Sequence, residues 1–145
     1  MLFRRSERGI EVLLGHMGGP IWGHKHKHSW SIPKGLHEAD ERDELAVAER
    51  EFEEEMGSVA PSGESIELGS VRGVYKTITI FAREGDFDAA RATSNTFEME
   101  WPPRSGQIGV FPEIDRAEWV LTADAPLYLT KSQGPFIDRL LEAIS

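Results

Sequence analysis

Short apolar runs separated by turn-forming residues recur along the chain, and such runs predict β-strands. Residues 9–15, GIEVLLG, predict a strand that ends at the turn-forming residues of HMGGP. Residues 65–83 hold further strand-like runs, of which VYKTITIF is the clearest. Shorter strands are predicted at residues 30–32, 95–99 and 112–120, the last one after a turn.

Two segments instead carry apolar residues at helical spacing. In residues 43–56 these positions lie three or four apart, and Gly57 is a typical helix stop. In residues 136–144 they again mark one side of a helix. The apolar positions are Leu45, Ala48, Phe52 and Met56 in the first helix and Phe136, Leu140 and Leu141 in the second. Strands that alternate with a middle and a terminal helix predict an α/β fold, with a mixed sheet covered on both faces.

Composition narrows the class of protein. The 145 residues are 39% hydrophobic, and no linker divides them, so we expect a single domain over residues 1–145. No run approaches the length of a membrane span, and the charged start MLFRRSERGI is unlike a secretion signal. The absence of cysteine excludes disulfides, thiol catalysis and thiolate zinc sites, and it fits a cytoplasmic location. The net charge of −9 argues against non-specific nucleic-acid binding.

Almost all of this charge lies in one segment. Between residues 36 and 55 ten carboxylates face two arginines, which gives −8 of the total of −9. On a helical wheel Glu51, Glu54 and Glu55 share an arc of about 100° beside the apolar stripe, whereas Glu49 and Glu53 point to solvent. Clustered oxygen ligands without histidine or cysteine favour Mg²⁺ or Mn²⁺. A solvated helix face would have the same composition, so both interpretations remain open at this point.

Residues 35–57, GLHEADERDELAVAEREFEEEMG, resemble the signature of the Nudix hydrolases. That signature is a glycine, five residues, a glutamate, seven residues and then Arg-Glu-apolar-any-Glu-Glu-any-Gly-apolar. The second half matches without a gap at Arg50, Glu51, Phe52, Glu54, Glu55 and Gly57. SIPKG before it, GGP near the start, and SNTFEMEWPP and FPEIDRAEW later resemble a bacterial branch of small Nudix proteins. The resemblance implies the Nudix fold, an α/β/α sandwich with a mixed central β-sheet.

The segment departs from the signature at three places. From Gly35 to Arg50 there are 15 positions where the pattern has 14, so the first-half glutamate falls at Arg42 and Glu41 lies one step earlier. Ser58 stands where an apolar residue is usual. Family members also have a longer first strand ahead of LFRR, so we expect a trimmed edge strand or an upstream start. The extra residue precedes the helix and leaves the three-glutamate cluster intact.

The resemblance also implies roles for individual residues. Glu51, Glu54 and Glu55 would bind the metal, Mg²⁺ or Mn²⁺, with help from the Gly35 carbonyl. Arg50 would orient a ligand glutamate, the alternative being a plain surface ion pair with Glu54. Candidates for the general base are, in order of preference, Glu51 and then Glu98, Glu100 or Glu113. Glu98 and Glu100 share one face of their predicted strand, and the alternative is that they are solvent-facing carboxylates.

Substrate contacts are expected from three more residues. Lys34 and Arg104 are candidates for phosphate contacts, and Arg104 could also contact the base. Tyr75 lies 18 residues beyond Gly57, near the distance at which Nudix proteins acting on diadenosine polyphosphates place a base-stacking tyrosine. No proline lies near that spacing, which disfavours ADP-ribose. Each of the three could instead be an ordinary loop or strand residue.

The implied function is hydrolysis of a pyrophosphate linkage in a nucleoside diphosphate linked to another moiety. A dinucleoside polyphosphate or a nucleoside triphosphate is the preferred substrate. The alternative is a Nudix module that binds a nucleotide without turning it over. We expect a monomer or homodimer with no nucleic-acid or membrane partner. The run HKHKH at residues 24–28 would place three histidines on one side if extended, which could bind a transition metal; a polar loop near the substrate is the other interpretation.

Overall fold

A computed structural model describes residues 1–33, 35–37, 44–72 and 77–145. The chain begins with a hairpin of β1 (Leu2–Ser6) and β2 (Gly9–Met17), which pair antiparallel. β1 also pairs in parallel with β6 (Thr77–Glu84). The LFRR strand therefore lies inside the sheet rather than at its edge. The sequence analysis did not predict it because a short strand that passes from apolar to charged residues carries no alternating pattern.

Within the described residues the main sheet has seven strands, and it is mixed, as predicted. Its other members are β3 (Trp30–Ser31), β4 (Gly35–His37), β5 (Ser65–Arg72) and β9 (Ile114–Leu121). β9 covers one edge of β2, while β1 and β3 share the other. β5 covers one edge of β6, while β4 and β1 share the other. The last five residues of the run VYKTITIF lie in β6, and its first three lie outside the described residues.

A second, two-stranded sheet is formed by β7 (Thr96–Glu100) and β8 (Ile108–Pro112). β7 was predicted and β8 was not, because Gly109 interrupts its short apolar run. The one-turn helices α1 (Gly19–Trp22) and α3 (Ala125–Tyr128) were also missed. Helices of four residues are too short to show a helical period.

Two longer helices cover opposite faces of the main sheet. Alternate residues of β2 divide between the two cores, as a strand buried on both sides requires. Leu13 packs in the core that contains Phe52 and Met56 of α2 (Glu44–Met56). Val12 and Leu14 pack in the core formed with α4 (Pro135–Ile144). This arrangement confirms the α/β/α sandwich.

In the described part of the chain, no helix is both long and apolar enough to cross a membrane.

Candidate active site

Helix α2 presents its carboxylates along a half-buried band. Val47, which the predicted apolar stripe did not include, is buried together with Phe52 and Met56. On the helical wheel Val47 lies about 40° from Glu51, on the opposite side from the predicted stripe. The apolar contact surface of α2 therefore flanks Glu51 on both sides. Leu45 and Ala48, in the predicted stripe, are half-buried.

The three signature glutamates are shielded to different degrees. The Glu51 side chain is 21% exposed and that of Glu54 is 41% exposed. Glu55 is half-buried, and its Oε2 atom is closed off from solvent. Glu49 and Glu53 are exposed, as predicted. Desolvated carboxylates are costly unless cations accompany them, so the shielding favours a cation-binding role over a solvated face.

Arg50 lies beside this band and can balance part of its charge. Its guanidinium nitrogens are 3.8 Å from Glu51 Oε1 and 3.9 Å from Glu54 Oε1. The Arg50 side chain itself is 55% exposed. Arg50 therefore lies close to two candidate metal ligands. This position fits a side chain that orients their carboxylates.

The donor set fits a hard divalent cation. Oxygen ligands from carboxylates suit Mg²⁺ and Mn²⁺, and Mg²⁺ keeps several waters and completes its sphere with substrate phosphates. Within residues 1–33, 35–37, 44–72 and 77–145, no three histidine, aspartate or glutamate side chains already surround a common point. In this structure Glu51, Glu54 and Glu55 are therefore not gathered into a three-ligand site.

The end of α2 is fixed against the loop that precedes β7. The Asn95 amide donates to the Glu54 carbonyl at 2.9 Å, and the Thr93 amide donates to the Met56 carbonyl at 3.1 Å. Gly57 has φ of +79°, and a Cβ atom there would lie 2.4 Å from the Thr93 carbonyl oxygen. The signature glycine is therefore needed for both its left-handed backbone and this close approach.

A further contact, which the sequence pattern does not predict, holds the middle of α2. Arg83 on β6 is 2.7 Å from Glu49, and it also donates to the Pro61 carbonyl and to Ser65. Glu49 is thus exposed but ion-paired, rather than merely solvated. Sequence spacing gives no signal for this contact, because Arg83 lies 34 residues further along the chain.

The candidate alternative bases lie on or beside the β7–β8 hairpin. Glu98 and Glu100 are exposed on one face of β7, with Phe97 and Met99 half-buried on the other, as the alternation predicted. Glu113 is exposed just before β9. The Arg104 amide donates to Glu100 Oε1 at 2.6 Å, and the Arg104 side chain is exposed. The side chains of these three glutamates are therefore open to solvent, unlike Glu51.

Several predicted residues fall outside the described residues. Lys34 and Tyr75 are among them, as are Glu41 and Arg42, where the extra signature residue lies. Gly35 is described as the first residue of β4, where it pairs with Thr79.

The strand leading to Gly35 is held by Gln133, a buried side chain that the sequence analysis did not single out. Gln133 Oε1 accepts from the Ile32 amide at 2.8 Å, and its Nε2 donates to the Ser31 hydroxyl at 3.2 Å. Gln133 lies between α3 and α4, about a hundred residues from this strand, so local pattern could not reveal the contact.

The histidine run is a polar loop, one of the two interpretations, and not the extended segment in which three histidines would share one side. Residues 24–28 form turns rather than a strand, and His28 has φ of +55°. His26 packs edge-on against Tyr128 at 4.8 Å between ring centroids, while His28 Nδ1 lies 2.8 Å from the Leu129 carbonyl oxygen. His26 and His28 thus contact Tyr128 of α3 and Leu129, the residue after α3. The metal hypothesis depended on an alternating, extended backbone, which this segment does not have.

Comparisons with known proteins agree with this architecture. A family model described as the NUDIX domain matches residues 1–140. The solved NUDIX domain of Shewanella oneidensis NrtR, complexed with ADP ribose, has a TM-score of 0.61 and 14% identity, covering 99% of this chain and 84% of that one. A C. elegans Ap4A hydrolase in a binary complex has a TM-score of 0.60 and 16% identity, covering 99% of this chain and 93% of that one. No curated protein sequence matches significantly. The chain therefore belongs to the NUDIX domain family.

Proposed function

We propose that the protein is a cytoplasmic, divalent-metal-dependent hydrolase whose substrate is a dinucleoside polyphosphate or a nucleoside triphosphate. In this proposal residues 1–145 form one catalytic domain, active as a monomer or homodimer, without nucleic-acid or membrane partners. The observation that carries the proposal is the shielded carboxylate band of α2, with Glu51 only 21% exposed and Glu55 Oε2 closed to solvent.

Glu51, Glu54 and Glu55 would hold the metal, with the Gly35 carbonyl as a further ligand. A bound Mg²⁺ or Mn²⁺ supplies charge neutralisation of the pyrophosphate and a water of lowered pKa. Arg50 keeps Glu51 and Glu54 oriented through its contacts at 3.8 and 3.9 Å. The anchoring of Asn95 and Thr93 to the end of α2 keeps the whole band in place.

Glu51 is our first choice for the base that accepts the proton of the attacking water. Glu98, Glu100 and Glu113 are the alternatives, and the Asn95 anchor brings the start of β7 against α2. Glu98 lies three residues further along that strand, about 10 Å from the anchor. A substrate between hairpin and helix could therefore reach it.

Three further residues are proposed to contact the substrate. Lys34 would contact a phosphate, Arg104 would contact a phosphate or the base, and Tyr75 would stack on the base. The fold neighbours support a nucleotide ligand, since one is complexed with ADP ribose and the other is an Ap4A hydrolase. The lack of a proline near Tyr75 favours polyphosphates over ADP-ribose.

The proposal is tested by incubating the purified protein with Mg²⁺ or Mn²⁺ and a panel of nucleotides. The panel holds nucleoside triphosphates, diadenosine polyphosphates, ADP-ribose and sugar nucleotides, and chromatography separates the products. We expect the protein to hydrolyse a triphosphate or a diadenosine polyphosphate. We expect no hydrolysis when a chelator is present in excess. Tight nucleotide binding without any product would instead support the non-catalytic module.

A further inference from the structure

Charge is sharply segregated next to the acidic helix. Residues 12–37 contain three lysines, all five histidines of the chain and no aspartate or glutamate. This stretch has a net charge of +3 in a chain of net charge −9, and the carboxylate-rich segment follows it immediately. A positive segment that directly precedes a carboxylate-rich one in sequence is suited to an anionic ligand, provided that the fold brings the two together.

Trp22 and Lys25 form an exposed aromatic–cation pair within this segment. The Trp22 residue is 37% exposed at the end of α1, and Lys25 Nζ lies 4.8 Å from the centroid of its ring. The Lys25 amide donates to the Trp22 carbonyl at 2.9 Å, which fixes the two residues relative to each other. An indole that remains accessible and carries an ammonium group offers both stacking area and a phosphate contact.

A buried histidine contacts the backbone of this pair. His16 is fully buried, its Nδ1 is 2.8 Å from Asp115 Oδ1, and its Nε2 is 2.5 Å from the Lys25 carbonyl oxygen. Both ring nitrogens therefore face an oxygen atom, one of a carboxylate and one of a backbone carbonyl. The His16 contact holds the backbone of Lys25, which itself donates to the Trp22 carbonyl, so the pair keeps one backbone geometry and the entropy cost of binding is lower.

The pair lies within reach of the carboxylate band. The Gly18 amide donates to the Glu113 carbonyl, the Glu113 amide to the Asn95 carbonyl, and the Asn95 amide to the Glu54 carbonyl. Three hydrogen-bonded steps of about 5 Å each place Gly18 within roughly 15 Å of Glu54. Trp22 follows four residues later, about 6 Å further along a helix. A nucleoside with a polyphosphate chain can bridge this separation.

We infer that Trp22 and Lys25 form a subsite of the active centre that binds a nucleobase and the adjoining phosphate of the substrate. The inference rests on the proposed nucleotide substrate and adds a specific contact for the end of the molecule remote from α2. Stacking on an aromatic side chain is tolerant of base identity, so the subsite selects for the presence of a base rather than for one base.

The test measures binding without turnover, in a Glu54→Gln background with Mg²⁺ and diadenosine tetraphosphate as the probe. Calorimetry should show that adding Trp22→Ala raises Kd about tenfold, while Trp22→Phe keeps it within about threefold, because a ring remains for stacking. Lys25→Gln should raise Kd less at high salt than at low salt. In the otherwise unchanged protein, Trp22→Ala should raise KM about tenfold and leave kcat within about twofold.

Ile21→Ala is the matched control, since Ile21 is the 43% exposed neighbour on the same short helix and has no ring. Its Kd should equal that of the background protein. Parent-like binding by Trp22→Ala, or equal weakening by Ile21→Ala, overturns the subsite. If the protein hydrolyses the probe but Trp22→Ala keeps the parent KM, the subsite fails and the proposed function stands. If Kd depends on Trp22 but nothing is hydrolysed, the subsite stands and the hydrolase function fails.

Discussion

Replacing Glu54 with glutamine is expected to lower kcat/KM at least about 100-fold while the protein stays folded. Glutamine keeps the size of the side chain and the backbone carbonyl that accepts from Asn95, but it removes one negative charge from the shielded band. Fewer negative ligands weaken the affinity for a hard cation, so the loss should be partly relieved by more Mg²⁺ or Mn²⁺. Steady-state kinetics across a range of metal concentrations measures both effects.

Glu53→Gln is the matched control for this experiment. It makes the same chemical change one residue away, at an exposed position on the other side of α2. Its kcat/KM should stay within about twofold of the parent value, because its charge is screened by solvent. Unchanged activity in Glu54→Gln, or an equal loss in Glu53→Gln, would show that the ligand assignment is wrong.

Trp30→Ala is expected to lower the free energy of unfolding by about 3–5 kcal/mol, the usual loss for a buried large aromatic residue. Trp30 is fully buried in the core beneath α4 and lies within 5.6 Å, centroid to centroid, of both His16 and Tyr128. Its removal would leave a cavity where β3, the histidine segment and α3 meet. Denaturant unfolding, with an unchanged m-value, measures the loss.

The Trp30→Phe variant distinguishes the stability that comes from packing of the ring from any contribution of the indole nitrogen. The indole Nε1 is buried and has no hydrogen-bond partner among the described residues, so phenylalanine removes volume but breaks no such bond there. The expected loss is less than half of that for alanine. A loss below about 1 kcal/mol for Trp30→Ala would contradict the placement of Trp30 in the core.

The sequence predicted those parts of the fold that have a long, regular pattern. β2, β7 and the two longer helices follow from alternation or helical spacing. β1 was missed although it is central, because pairing with β6 across the chain, not its own pattern, places it there. β8 and the one-turn helices were missed since such short elements are stabilised by neighbours; Gly18, just before α1, for example donates its amide to the Glu113 carbonyl.

The same distinction holds for the candidate site. The carboxylate band is local to one helix, so spacing on α2 was sufficient to predict that Glu49 and Glu53 are the more exposed glutamates; the clustering of the other three stays a prediction. The supports of the site are non-local: Arg83 holds Glu49, Gln133 holds the strand before Gly35, and His16 holds Lys25 through its carbonyl. Each joins elements that a single stretch of sequence cannot bring together. The histidine run failed as a metal hypothesis because it assumed an extended backbone that the turns exclude.

We expect water, activated at the α2 carboxylates with a divalent metal, to attack a phosphoanhydride of the substrate. The most direct test is a single incubation of the protein with Mg²⁺ and diadenosine tetraphosphate in water enriched in oxygen-18, beside a duplicate in excess chelator. Mass spectrometry of the products should show one heavy oxygen on a newly formed phosphate end, and the chelated sample should retain intact substrate. Substrate recovered whole from both samples, by a protein that calorimetry shows to bind it, would contradict the claim.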